Sequence, residues 1–159
     1  MSLRRCSRLA LLVVPALVLL GVGPVPAASA AYTRSYSSGT VNVAFGSMQA
    51  VINGVITVPS HGTITDVNVS VVINHTWVQD IDLTVVSAAG KGVVLLQNDC
   101  SNQDNINATF DDEGAALECS QTPPAISGNV APDNSATYHH LSVLDGEDMA
   151  GTWILIVSD

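Results

Sequence analysis

The residues in this sequence whose types and spacing could do chemistry are its carboxylates. Asp80 and Asp82 flank one isoleucine in His75-Thr76-Trp77-Val78-Gln79-Asp80-Ile81-Asp82-Leu83, and Asp104, Asp111 and Asp112 follow in a stretch rich in Asn and Asp. Oxygens grouped this way suit a hard cation such as calcium, which takes about six to eight of them from carboxylates, amides, backbone and water. A strand beginning at Asp80 would turn Asp80 and Asp82 to one face, because strand side chains alternate. Asp104, Asn105, Asp111 and Asp112 would then add ligands from a loop. Crowded carboxylates also repel one another, and a cation relieves that. The competing reading is a solvated acidic rim whose oxygens accept hydrogen bonds from turn amides.

Other chemistries lack their residues. The chain has no G-x-S-x-G elbow and no Gly-Thr-Ser-x-Ala-like nucleophile segment, so no Ser-His-Asp triad can be assembled from its motifs. His61, His75, His139 and His140 sit in no supporting motif, and His75 reads as a turn residue bonded to backbone. No H-E-x-x-H occurs, and the adjacent His139 and His140 would diverge on a strand, which argues against zinc. Trp153 lies in an apolar run and reads as core. Trp77 lies in a turn, where an exposed indole would serve as a stacking platform for a glycan. Asn68, Asn74 and Asn107 stand in N-x-S/T patterns whose meaning depends on the host.

The elements that must position these residues begin after a leader. Arg4, Arg5 and Arg8, an apolar stretch from Leu9 to Leu20, and Ala28-Ser29-Ala30 form a secretory signal peptide over 1–30, with cleavage expected after Ala30. The remaining chain is the size of one domain. It keeps two strong bases, Arg34 and Lys91, against 14 acidic residues, a net charge of −12. Such a surface repels nucleic acid and anionic membranes. Cys100 and Cys119 are an even pair in an exported protein and are expected to bridge.

Residues 31–50 read as a flexible lead-in with a first strand near Val41 to Phe45. Val51 to Val58 reads as a strand ended by Pro59. Between Thr63 and Asn74, Val67, Val69, Val71 and Ile73 alternate with Asp66, Asn68 and Ser70, the mark of a half-exposed antiparallel strand. Ile81, Leu83 and Val85 repeat that pattern, and Ala88-Ala89-Gly90-Lys91-Gly92 turns the chain into Val93 to Leu96 as a hairpin. Gln97 to Asn134 reads as a long structured loop in which only Ile106 to Phe110 is extended. Trp153 to Val157 is apolar on both faces, the pattern of a buried central strand. The fold class is all-β, an antiparallel sandwich or barrel.

Residues 51–159 resemble the P domain (P/Homo B domain) of subtilisin/kexin-like proprotein convertases. The resemblance is carried by Gly62-Thr63-Ile64-Thr65-Asp66-Val67, by the His75 to Leu83 segment, by Asp104-Asn105-Ile106, by Thr109-Phe110-Asp111-Asp112-Glu113, and by Leu144-Asp145-Gly146-Glu147-Asp148 leading into Gly151-Thr152-Trp153. It implies a jelly-roll-like β-domain that follows and stabilises a serine-type endopeptidase domain, often in association with calcium. Three departures stand out. Gln79 replaces a glycine, Ala88-Ala89-Gly90 replaces Ser-Pro-x-Gly, and the last strand expected after Asp159 is missing, so the domain is expected to be incomplete at its C-terminal end.

The leading expectation is a secreted, non-catalytic domain that docks on or stabilises a protease or another exported partner, with calcium as its candidate cofactor. The alternatives are a fragment of a larger endopeptidase that performs proteolysis, and an extracellular glycan-binding or adhesion module.

Overall fold

The computed structural model describes residues 33–41, 51–133 and 140–159. The expected signal peptide, His139 and all of the expected first strand except Val41 lie outside the described residues. Val41 belongs to no strand. Arg34–Asp159 forms one compact unit.

Among the described residues, seven strands build two sheets. They are β1 (Val51–Val58), β2 (Val69–Ile73), β3 (Asp82–Val86), β4 (Gly92–Leu96), β5 (Ile106–Ala115), β6 (Ile126–Val130) and β7 (Gly151–Ser158). Single 3-10 turns span Val78–Asp80 and Leu141–Leu144. The first sheet has the order β1-β7-β3-β4 and is antiparallel throughout; the second has the order β2-β5-β6. The all-β expectation holds, as two sheets and not a closed barrel. One pairing departs from the antiparallel pattern, because β5 and β6 run parallel.

Alternation in the sequence becomes layering. On β2, Val71 is buried while Val69 and Ile73 pack against the core from its margin; Val72, the exception to the pattern, is 74% exposed. Leu83, Val85, Val93 and Leu95 from the first sheet meet Ile106, Phe110, Ile126 and Val130 from the second in one buried cluster. Each large aliphatic or aromatic side chain sealed there contributes about 1.5–3 kcal/mol relative to its exposed state. The β3–β4 turn closes through Ser87 N–H to Lys91 O (2.9 Å) and Gly90 N–H to Ser87 O (2.8 Å), with Gly90 at φ +85°, where a side chain would be strained.

Two local expectations change. Only Val69–Ile73 of the Thr63 to Asn74 segment is a ladder strand; Thr63 instead forms an isolated bridge with Asp148. β7 is central in its sheet, as its apolar run predicts, but it is half-buried and not sealed. Trp153, Leu155 and Val157 pack on the core, and the alternating Ile154 and Ile156 face outward. The cysteines bridge as expected, with Cα atoms 5.2 Å apart. That bond fastens the end of β4 to the segment after β5.

Candidate functional site

The carboxylates gather around an irregularity in β5. Phe110 and Ala115 both pair with Val130 of β6, so residues 111–114 bulge out of the ladder. Gly114 is required at its base, since a Cβ there would sit 2.5 Å from the Val130 carbonyl carbon. The bulge turns Asp111 inward. Its Oδ2 accepts from Asn129 Nδ2 at 2.8 Å, and its Oδ1 accepts from the Glu113 N–H at 3.0 Å. With its amide oriented to satisfy both ends, Asn68 also donates to Asp111 Oδ1 at 3.2 Å. Asp66, before β2, completes the group. One oxygen each from Asp66, Asp111 and Glu113 lies within 4.8 Å of the others.

The electrostatics of this trio are unequal. The Asn129 hydrogen bond, followed by those from Glu113, holds the Asp111 carboxyl below the usual aspartate range. The bond to Asp111 raises Glu113, and the charges of Asp111 and Asp66 raise it further. Three converging carboxylates, one of which holds its proton more tightly than usual, could hold a cation, and their oxygens suit a hard one.

Of the five carboxylates expected from the sequence, Asp111 alone is in this trio. Asp112, next in the chain, points the other way. Its two oxygens accept the N–H groups of Leu141 and Ser142, each at 2.8 Å, at the start of the second 3-10 turn. Burial pushes its carboxyl up, but the Ser142 and Leu141 bonds outweigh that and leave it lowered. Asp80 is exposed and lies in the first 3-10 turn, so the strand begins at Asp82 and the condition for a shared strand face is not met. Asp82 keeps one buried oxygen, Oδ1, with no hydrogen-bond partner. Asp104 is half-buried in the loop before β5, and its carbonyl accepts from the Ala125 N–H at 2.7 Å. Asp66 and Glu113, which join Asp111 here, are not among the carboxylates expected from the sequence, although both stand inside the motifs quoted above.

His75 organises a turn. Its backbone N–H donates to Asn105 Oδ1 at 3.0 Å, its Nδ1 accepts from the Trp77 N–H at 3.2 Å, and its Nε2 lies 3.6 Å from Asp159 Oδ1. Trp77 is 47% exposed. Trp153 is half-buried, and its indole N–H donates to Met149 O at 2.9 Å.

The outward side of the first sheet is a second candidate surface. Register places Val55, Ile154 and Val86 in one cross-strand row, and Asn53, Ile156, Thr84 and Val94 in the next. Val55 is exposed; Ile154, Ile156, Val86 and Val94 are half-buried. Neither row carries a charge, in a chain whose acidic residues outnumber its bases.

Compared with known protein families, the chain matches the model of the proprotein convertase P-domain over residues 64–159. No curated protein and no solved structure matches it. Among the described residues no helix is long and apolar enough to cross a membrane.

Proposed function

Because the chain belongs to the proprotein convertase P-domain family, we propose that it acts as a secreted module that docks on a serine endopeptidase catalytic domain, or another exported partner, and stabilises it. The P-domain is a non-catalytic accessory domain of these subtilisin/kexin-like proteases. The proposal includes export by the leader over 1–30 and a folded part over 51–159. The observation that carries docking is the uncharged row of exposed Val55 and half-buried Ile154 and Val86 on the outward side of the first sheet. Apolar surface on a sheet favours a partner that covers it, because covering removes apolar area from water.

The test is a mixture of the full chain with the catalytic domain of a subtilisin-like protease from the same source. A complex that raises the melting temperature of the protease, and that Val55→Asp abolishes without unfolding the chain, is the expected result. Absence of a complex at micromolar concentration, or a complex indifferent to Val55→Asp, would remove the sheet face from this role.

The same proposal gives calcium a stabilising part at Asp66, Asp111 and Glu113. Asn129 holds Asp111 in place for it, and the cation would neutralise the charge that now raises Glu113.

A second reading, glycan binding, draws on the exposed indole of Trp77. Loss of glycan-array binding in Trp77→Ala would support it, and an array blank for the unsubstituted chain would end it.

A further inference from the structure

The ends of β4, β5 and β6 frame a cleft of about 510 Å³ that none of the preceding chemistry uses. Asp99, after β4, forms one wall. Ala116, Leu117 and Cys119, after β5, form the second. Ala131, Pro132 and Asp133, after β6, form the third. All three walls are tied down. The disulfide joins Cys119 to Cys100, the neighbour of Asp99. The Ala131 N–H donates to Ala115 O at 2.7 Å, and the Asp133 N–H donates to Leu95 O at 2.9 Å. A cleft held this way loses little freedom when it is filled.

Its chemistry is mixed. Ala116, Leu117, Ala131 and Pro132 supply apolar walls, and Asp99 and Asp133 supply negative charge. Burial, and then the charge of Asp133, push the Asp99 carboxyl up, and a positive group in the cleft beside Asp99 would oppose that shift. A hard metal ion suits the cleft poorly, because it wants about six to eight oxygens and the lining side chains bring two carboxylates. An aliphatic stem that ends in a weakly hydrated, planar cation fits both parts of the lining.

We propose that this cleft binds an arginine side chain presented by a partner protein, with the guanidinium between Asp99 and Asp133 and the stem against Leu117 and Pro132. The inference goes beyond docking through the sheet face and shares no residue with it, so either can fail alone.

Titration of the full chain with N-acetyl-arginine amide, followed by backbone NMR, tests it. The citrulline analogue serves as the uncharged isostere. Arginine should move the amide signals of Asp99, Leu117, Ala131 and Asp133 saturably, and citrulline should not. Asp99→Asn and Asp133→Asn should each weaken binding by about tenfold, the scale of one charge-assisted hydrogen bond. Equal shifts with citrulline would overturn the proposal. So would arginine shifts that never saturate and spread over the whole acidic surface, or shifts unchanged in the doubly substituted chain. The arginine–citrulline comparison decides in the unsubstituted chain even if a variant fails to fold.

Discussion

Adjacent carboxylates in this chain do opposite work. Asp112 satisfies two backbone donors that begin the Leu141–Leu144 turn, whose Leu141 and Leu144 are buried in the core. Asp112→Ala leaves both donors without their acceptor and loosens that anchor. The expected cost is about 1–2 kcal/mol, the range for loss of a side-chain cap, read from the midpoint of urea unfolding. Glu113 carries the reverse prediction. Its carboxyl is raised in the folded chain, so the native state binds that proton more tightly than the unfolded one. The resulting stabilisation is present below the ordinary glutamate range and is lost as pH rises through the raised value. At neutral pH without a cation, the charges of Asp111 and Asp66 therefore oppose an ionised Glu113. Glu113→Gln should raise the melting temperature in chelator. The unsubstituted chain should instead gain stability on addition of millimolar calcium, and Glu113→Gln should lose that gain. An unchanged melting temperature of the unsubstituted chain in calcium and chelator would dismiss the cation.

At the scale of elements, what could be read from the sequence follows from periodicity. Val67, Val69, Val71 and Ile73 alternate cleanly and lie against or within the core. The β3–β4 hairpin carries both alternation and a Gly-containing turn. β6 escaped because its apolar residues are only the two ends, Ile126 and Val130, around Ser127-Gly128-Asn129; only the ends are buried, and Gly128 has φ +81°. A strand with three exposed central residues has no period to detect. The bulge escaped for a related reason. Its logic is tertiary: Gly114 faces Val130 at a distance only glycine tolerates, and that contact assembles the acidic trio. Asp80 was misplaced by a single 3-10 turn, which shifts the start of β3 by two residues. The cysteine pair, by contrast, was legible from its even count. The bridge spans a sequence separation of 19. Replacing both cysteines by serine is expected to cost about 3 kcal/mol by the chain-entropy account. Urea unfolding of the doubly substituted chain measures it, and the cleft walls joined by the bridge should lose amide protection first.

For the whole molecule, charge separates the two proposed surfaces. Residues 31–159 carry two strong bases against 14 acidic residues, yet the central rows on the outward side of the first sheet carry no charge. Association through that face is driven by removal of apolar area from water, which salt does not screen. An arginine held between Asp99 and Asp133 is attracted by Coulomb forces at a partly solvated site. The Debye length falls from about 10 Å at 0.1 M salt to about 3 Å at 1 M. Raising sodium chloride over that interval should weaken binding of N-acetyl-arginine amide severalfold, and should leave a Val55-dependent complex intact or tighten it by easing repulsion between acidic peripheries. Isothermal titration at several salt concentrations separates the two. A sheet-face complex that dissolves in salt would mean that charge, and not the valine and isoleucine rows, holds the partner. Arginine binding indifferent to salt would mean that the carboxylates do not recognise the guanidinium. The opposite slopes follow from one feature of the fold: the strands present apolar residues on one sheet face, while the loops after β4 and β6 bring Asp99 and Asp133 to the strand ends.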